Sequence, residues 1–153
     1  ILKEHMAGII PLGALKQPVD DRVLLVGDAA AQVKPTSGGG IFTGLSSAQI
    51  AAQTIITAIQ TQTYSKQLLS KYPAQWKKTI GRELSIGMKL HGLFTTFSDE
   101  QFEKYITKFK ESSLTNTINE HGDIDYASKL IKPMLKHTPS LLKFIPGILH
   151  IRK

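Results

Sequence analysis

Asp28 is the residue in this sequence best placed to do chemistry. It follows Gly27 at the end of the apolar run Val23-Leu24-Leu25-Val26, and a second glycine cluster, Gly38-Gly39-Gly40, comes shortly after and opens a long apolar segment at Ile41. An ionised carboxylate offers only acceptor lone pairs, which suit the hydroxyls of a sugar-like chain. Gly27 lets the backbone turn sharply beside it and leaves room for ligand atoms. If Gly38 to Gly40 begin a helix, its unpaired amides and the positive end of its dipole favour negative charge there. A carboxylate at the C-terminal end of a buried strand lies where ligands bind in open α/β sheets. Together these groups suit a dinucleotide.

Plainer readings stand beside this one. Asp28 can cap the short helix that follows, and the glycines can serve a tight turn that needs positive φ. Direct phosphate binding fits less well, because eleven residues separate the apolar run from Gly38, whereas the dinucleotide fingerprint follows its strand at once. A P-loop is excluded, since no Gly-Lys-Ser/Thr follows. A flavin fits the pattern: its reduction builds negative charge on the pyrimidine side, and the amides of Gly40 and Ile41 would stabilise that charge.

These residues need a strand and a helix to hold them. Val23 to Val26 is apolar, partly β-branched and too short for a helix, so it predicts a strand buried on both faces, as in a parallel sheet. Ala29-Ala30-Ala31 and Pro35 predict a turn or short helical piece. Ile41, Leu45, Ala48, Ala52, Ile55, Ile56 and Ile59 recur at helical spacing and predict one apolar stripe. Small residues there, among them Gly44, Ser47, Ala48, Ala51 and Ala52, permit close packing. After Gln60 to Thr63 the chain becomes helical and basic, with Trp76, Ile80, Leu84 and Met88 spaced by four. Ser98 with Gln101 fits a capping box, and Phe102, Tyr105, Ile106 and Phe109 line the helix it starts. Gly122-Asp123-Ile124-Asp125 predicts a turn before a further helix carrying Leu130, Ile131, Met134 and Leu135.

Gly27-Asp28-Ala29-Ala30 resembles the second FAD-binding motif of glutathione-reductase-type flavoproteins. With Pro35, Ser37-Gly38-Gly39-Gly40-Ile41 and Gly44, it is similar more closely to the geranylgeranyl reductase family. The upstream Ile10-Pro11-Leu12-Gly13 is similar too, as are Tyr72 to Trp76, Gly81-Arg82-Glu83-Leu84, Phe97 to Gln101 and Gly122 to Asp125. The helical part, not the widespread Gly-Asp motif, carries the narrower likeness.

The resemblance implies an α/β fold: the end of a Rossmann-like FAD-binding domain over residues 1–62, then a mostly α-helical C-terminal region over 63–153. The chain as a whole is then predominantly α. It implies FAD as cofactor, with Gly27, Asp28, Ala29, Pro35, Gly38, Gly39, Gly40 and Ile41 around it. The implied activity is hydrogenation of isoprenoid double bonds in a prenyl lipid, with reduced nicotinamide or ferredoxin as electron donor. The family's first motif, G-x-G-x-x-G after an early strand, is missing, and Ile1 begins neither with Met nor with a signal-peptide pattern. The expectation is therefore the C-terminal part of a longer flavoenzyme that binds FAD poorly by itself. No catalytic acid is assigned. The alternatives are an aromatic-ring monooxygenase of the same fold, or a non-catalytic membrane-associating helical module.

Composition bounds these readings. With 153 residues, 41% of them hydrophobic and 20% charged, the chain can build a real core. There is no cysteine, which excludes disulfides and thiolate chemistry and fits a reducing, cytoplasmic setting. The histidines show no metal spacing. Residues 63–153 hold fifteen Lys/Arg against eight Asp/Glu and so supply the whole net charge of +7. Lys129, Lys132, Lys136, Lys143, Arg152 and Lys153 alternate with Leu141, Leu142, Phe144, Ile145, Ile148, Leu149 and Ile151. That mixture suits peripheral contact with an anionic membrane, or a helix buried against another part of the protein. Nucleic acid is not expected, since no recognition motif is present.

Overall fold

The short run before Asp28 does not form a wide sheet. In the computed structural model, which describes residues 7–111 and 114–137, β1 (Val19–Asp20) and β2 (Val23–Leu24) form an antiparallel hairpin. Val19 faces Leu24 and Asp20 faces Val23 across it. This corrects the expected parallel strand: Val23 is 50% exposed, and Leu24, Leu25 and Val26 are only half-buried. The cause is the polar turn between the strands. Arg22 takes φ 59°, its amide donates to the Tyr64 carbonyl at 2.8 Å, and Asp21 Oδ1 accepts from the Lys66 amide at 2.6 Å. The run is thus folded back on Val19 and tied to the helix beginning at Lys66.

The described chain divides into two compact units at Leu84/Ser85. In the first, α1 (Ile41–Gln60) packs against the Gly27–Ala30 turn, α2 (Lys66–Leu69) and α3 (Lys71–Trp76) pack along α1, and α2 also meets β1. Ser65 caps α2 by accepting from the Leu68 amide. The core consists of Val19, Ile50, Ala51, Ala58, Leu69, Tyr72, Trp76, Ile80 and Leu84. Trp76, Ile80 and Leu84 share a buried face, as their spacing by four predicts, while Met88 is half-buried. A π-helical turn, Lys77–Gly81, joins α3 to α4 (Arg82–Phe94). The Trp76 ring lies over Gly81, where a Cβ would stand 3.1 Å from Cζ3.

α1 is turned opposite to the expectation from its aliphatic stripe. Its buried residues are Thr43, Ser47, Ile50, Ala51, Thr54 and Ala58, whereas Ile41 is 83% and Leu45 68% exposed. Ala48, Ala52, Ile55, Ile56 and Ile59 are not buried either. Small side chains on the inner face let α2, α3 and the loop before α1 come close. Two of its hydroxyls find partners locally: Thr43 Oγ1 donates to the Gln32 carbonyl at 2.5 Å and Thr54 Oγ1 to the Ile50 carbonyl at 3.3 Å, while the Ser47 hydroxyl is buried without one among the described residues.

In the second unit, α5 (Asp99–Glu111), α6 (Leu114–His121) and α7 (Ser128–His137) follow the end of α4. The capping box forms as predicted: the Gln101 amide donates to Ser98 Oγ at 3.3 Å, and the Ser98 amide to Gln101 Oε1 at 2.9 Å. The Phe97 ring stands 5.4 Å from Phe102 and 5.1 Å from Tyr105. The turn before α7 is fixed by Asp123, whose Oδ1 accepts from the Asp125 and Tyr126 amides at 2.9 and 3.1 Å. Lys129, 2.7 Å from Oδ2, together with these amides holds the Asp123 carboxyl below its ordinary range. Lys132 and Lys136 are exposed on α7. The rest of the basic–apolar tail from residue 138 onward, and the side chains of Phe109, Ile131, Met134 and Leu135, lie outside the described residues. Among the described residues no helix is long and apolar enough to cross a membrane.

Candidate functional site

Gly27 opens a single 3₁₀ turn, Gly27–Ala30, at the end of the hairpin run. Val26 arrives extended, with φ −138° and ψ 153°, and Gly27 then takes φ +66°, a conformation that glycine adopts at no steric cost. Nothing lies within 4 Å of where a Gly27 Cβ would stand. The turn closes on Ala31, itself left-handed at φ 52°, whose amide donates to the Asp28 carbonyl at 2.9 Å. Asp28 and Ala29 are thereby exposed, while Ala30 is fully buried.

The chain returns through a tight loop. The Lys34 carbonyl accepts from the Gly38 amide at 2.9 Å, and the Lys34 amide donates to the Gly39 carbonyl at 3.0 Å. Pro35 is buried at its base, and Gly38 turns at φ +70°. Lys34 runs alongside Gly39, where a Cβ would meet its Cε at 2.9 Å. Gly40 is the N-cap of α1 and has no side chain of its own to cap that helix. The positive end of a helix of 20 residues therefore lies at this loop.

The two glycine clusters meet. A Cβ on Gly40 would stand 2.8 Å from Asp28 Oδ1, and one on Gly44 would stand 3.8 Å from Gly27 Cα. The exposed carboxylate thus lies beside the N-terminus of α1, with Gly27, Gly40 and the exposed Ile41 around it. Asp28, Ala29 and Ile41 are exposed, Gly27, Gly38, Gly39 and Gly40 half-buried, and Pro35 buried. An exposed acceptor set beside a helix N-terminus, where a Cβ on Gly40 would meet it, fits a ligand carrying both hydroxyls and negative charge.

A supporting layer escaped the sequence reading. Gln32 is fully buried; its Oε1 accepts from the Gly27 amide at 2.8 Å and its Nε2 donates to the Tyr72 hydroxyl at 2.6 Å. Burial raises the Tyr72 phenol above its ordinary value, against the hydrogen bond from Gln32. The available signal was a lone glutamine inside Ala29-Ala30-Ala31-Gln32-Val33, where four small or branched apolar residues surround one amide.

Residues 15–82 match the FAD binding domain family, a span that contains both glycine clusters and Tyr72. The chain is 36% identical over 135 residues to an uncharacterized protein of Methanocaldococcus jannaschii, covering 88% of this chain and 34% of that one. It is 31% identical over 148 residues to digeranylgeranylglycerophospholipid reductase 2 of Methanothermobacter thermautotrophicus, covering 95% and 36%. It is 32% identical over 140 residues to digeranylgeranylglycerophospholipid reductase 3 of Methanosphaera stadtmanae, covering 91% and 33%. The chain spans about a third of the length of these relatives. No solved structure matches it. An FAD binding domain match over residues 15–82 and an alignment to these reductases over most of the chain make the chain similar to the geranylgeranyl reductase-like family of FAD-binding proteins.

Proposed function

We propose that this chain is the C-terminal part of an FAD-dependent reductase that hydrogenates isoprenoid double bonds in a membrane lipid. The observation that carries the reading is the Asp28–Gly40 slot. It offers hydroxyl acceptors beside a helix N-terminus, within a chain whose relatives bear the name of reductases of geranylgeranyl phospholipids. Bound there, FAD would supply the hydride for such a double bond, and the balancing proton would come from a group that these residues do not identify.

Within that chemistry this chain binds and orients. Asp28 accepts hydrogen bonds from hydroxyls of the cofactor's sugar-like chain. The amides of Gly40 and Ile41 favour negative charge, which stabilises a reduced, anionic ring. Gly27, Ala29, Pro35, Gly38 and Gly39 shape the backbone that holds these groups in place. Residues 1–62 serve as the end of the FAD-binding domain, and 63–153 as a helical region whose basic tail meets the surface of anionic lipid. The electron donor in this reading is reduced nicotinamide or ferredoxin, and the enzyme works in the cytoplasm at the membrane surface. The open aliphatic face of α1 supports a flavin domain that continues beyond these residues in the whole protein.

The test is the visible spectrum of the full-length gene product, followed by incubation with an unsaturated digeranylgeranyl lipid and a chemical reductant. The expected result is an oxidised-flavin spectrum and a lipid mass that rises by two hydrogens per bond reduced. A flavin-bound protein that leaves the lipid unchanged but hydroxylates aromatic compounds would overturn the substrate reading. A colourless protein that cannot be reconstituted with FAD would overturn the cofactor reading.

A further inference from the structure

We infer that Gln32 and Tyr72 form a buried clamp that positions the Gly27–Ala30 turn, and with it Asp28, against the cofactor. This rests on the reading of that turn as part of an FAD site. Gln32 is held at each of its polar groups: its Oε1 takes the Gly27 amide, its Nε2 the Tyr72 hydroxyl, its carbonyl the Thr43 hydroxyl at 2.5 Å, and its amide donates to the Gly27 carbonyl at 3.0 Å. One residue therefore joins the turn, α1 and α3 across 40 positions of sequence between Gln32 and Tyr72. Both residues are fully buried, so neither touches the exposed slot. They act through Gly27.

The physical reason for the clamp is the path of the turn, in which Ala31 carries a Cβ in the left-handed region. Gly27 and Ala31 both take positive φ, and Asp28 stands on the outside of the turn between them. A single 3₁₀ turn has too few internal hydrogen bonds to hold such a path, so its first amide is fixed from below. In a low-dielectric interior each of these bonds is strong, and losing one leaves its partner unsatisfied. Tyr72 keeps the Gln32 amide oriented, because the phenol accepts from Nε2 and so leaves Oε1 on Gly27. A positioning layer of this kind sets how sharply a binding group is held.

The experiment compares Gln32→Leu, Tyr72→Phe and the double variant with a packing control, Ile80→Val, in the full-length gene product. Ile80 is 3% exposed and belongs to the core rather than to the slot. Two readouts are taken: amide hydrogen exchange over residues 27–31, and FAD affinity with the visible spectrum of the bound flavin. Gln32→Leu and Tyr72→Phe are expected to speed exchange at 27–31 and raise the FAD dissociation constant roughly tenfold, the effect of one lost buried hydrogen bond. The double variant is expected to be no worse than Gln32→Leu alone, since the two act as one unit. Exchange at 27–31 that is unchanged, or that rises equally in Ile80→Val, would overturn the clamp whatever the flavin does. A wild-type protein without FAD would overturn the functional reading, and exchange alone would then decide the clamp.

Discussion

The Asp28 carboxylate lies so close to the Gly40 backbone that a Cβ there would come within 2.8 Å of Oδ1. Two residues from separate glycine-bearing segments thus share one small volume, and the absence of a side chain at one sets where the other can stand. Gly40→Ala is expected to push the carboxylate aside, because the end of an exposed side chain yields more easily than backbone. Thermal stability should change little, by less than about 1 kcal/mol for a surface adjustment of this kind. FAD affinity should fall roughly tenfold or more, the effect of one displaced hydrogen-bond acceptor. Melting curves and flavin titration of the full-length protein check both halves.

Asp28→Asn keeps the shape and removes the charge. In its proposed role as acceptor for cofactor hydroxyls it stands to lose about 1.5–3 kcal/mol of charge-assisted hydrogen bonding, or roughly ten- to a hundredfold in FAD affinity. Combined with Gly40→Ala the loss should be less than the sum, because each variant disables the same group. Full additivity in the titrations would mean that the two residues act separately. An undiminished affinity in Asp28→Asn alone would leave the carboxylate as a local feature of the turn.

Much of this site could be read from residue types. Gly27-Asp28 and Gly38 to Gly40 carry their own chemistry, and Ser98 with Gln101 forms its capping box because both partners are local. The errors came where tertiary context decides. The run Val23 to Val26 reads equally as a central strand or as one arm of a hairpin, and the anchors that choose, Tyr64 and Lys66, lie some forty residues away. The stripe on α1 reads as its buried face because aliphatic side chains prefer burial. The structure instead buries the face whose small residues allow helices to approach. Gln32 was invisible for a related reason, since its partner Tyr72 is distant in sequence.

The orientation of α1 makes a neighbouring pair of alanines a sharp test. Ala51 is 2% exposed, whereas Ala52 is exposed. Ala51→Leu is expected to overpack the inner face and cost about 1–3 kcal/mol. Ala52→Leu, at the same chemical change, should cost far less in the described unit. Comparable denaturation midpoints for the two would mean that α1 turns a different face toward α2 and α3.

Tyr72 predicts how stability responds to alkaline pH. Burial raises its phenol above the ordinary value of about 10, so the folded protein holds the proton more tightly than the unfolded chain. The stabilisation this provides is fully present below the unfolded value and is lost as pH rises through the folded one. The full-length protein should therefore lose melting temperature progressively above about pH 10. Tyr72→Phe removes the titrating group and should flatten that part of the profile, while lowering stability at neutral pH because Gln32 Nε2 loses its acceptor. The burial of Tyr72 is tested by the shape of the curve: a variant that is less stable at about pH 7 yet falls as steeply as wild type above about pH 10 would place the alkaline transition on the lysines instead.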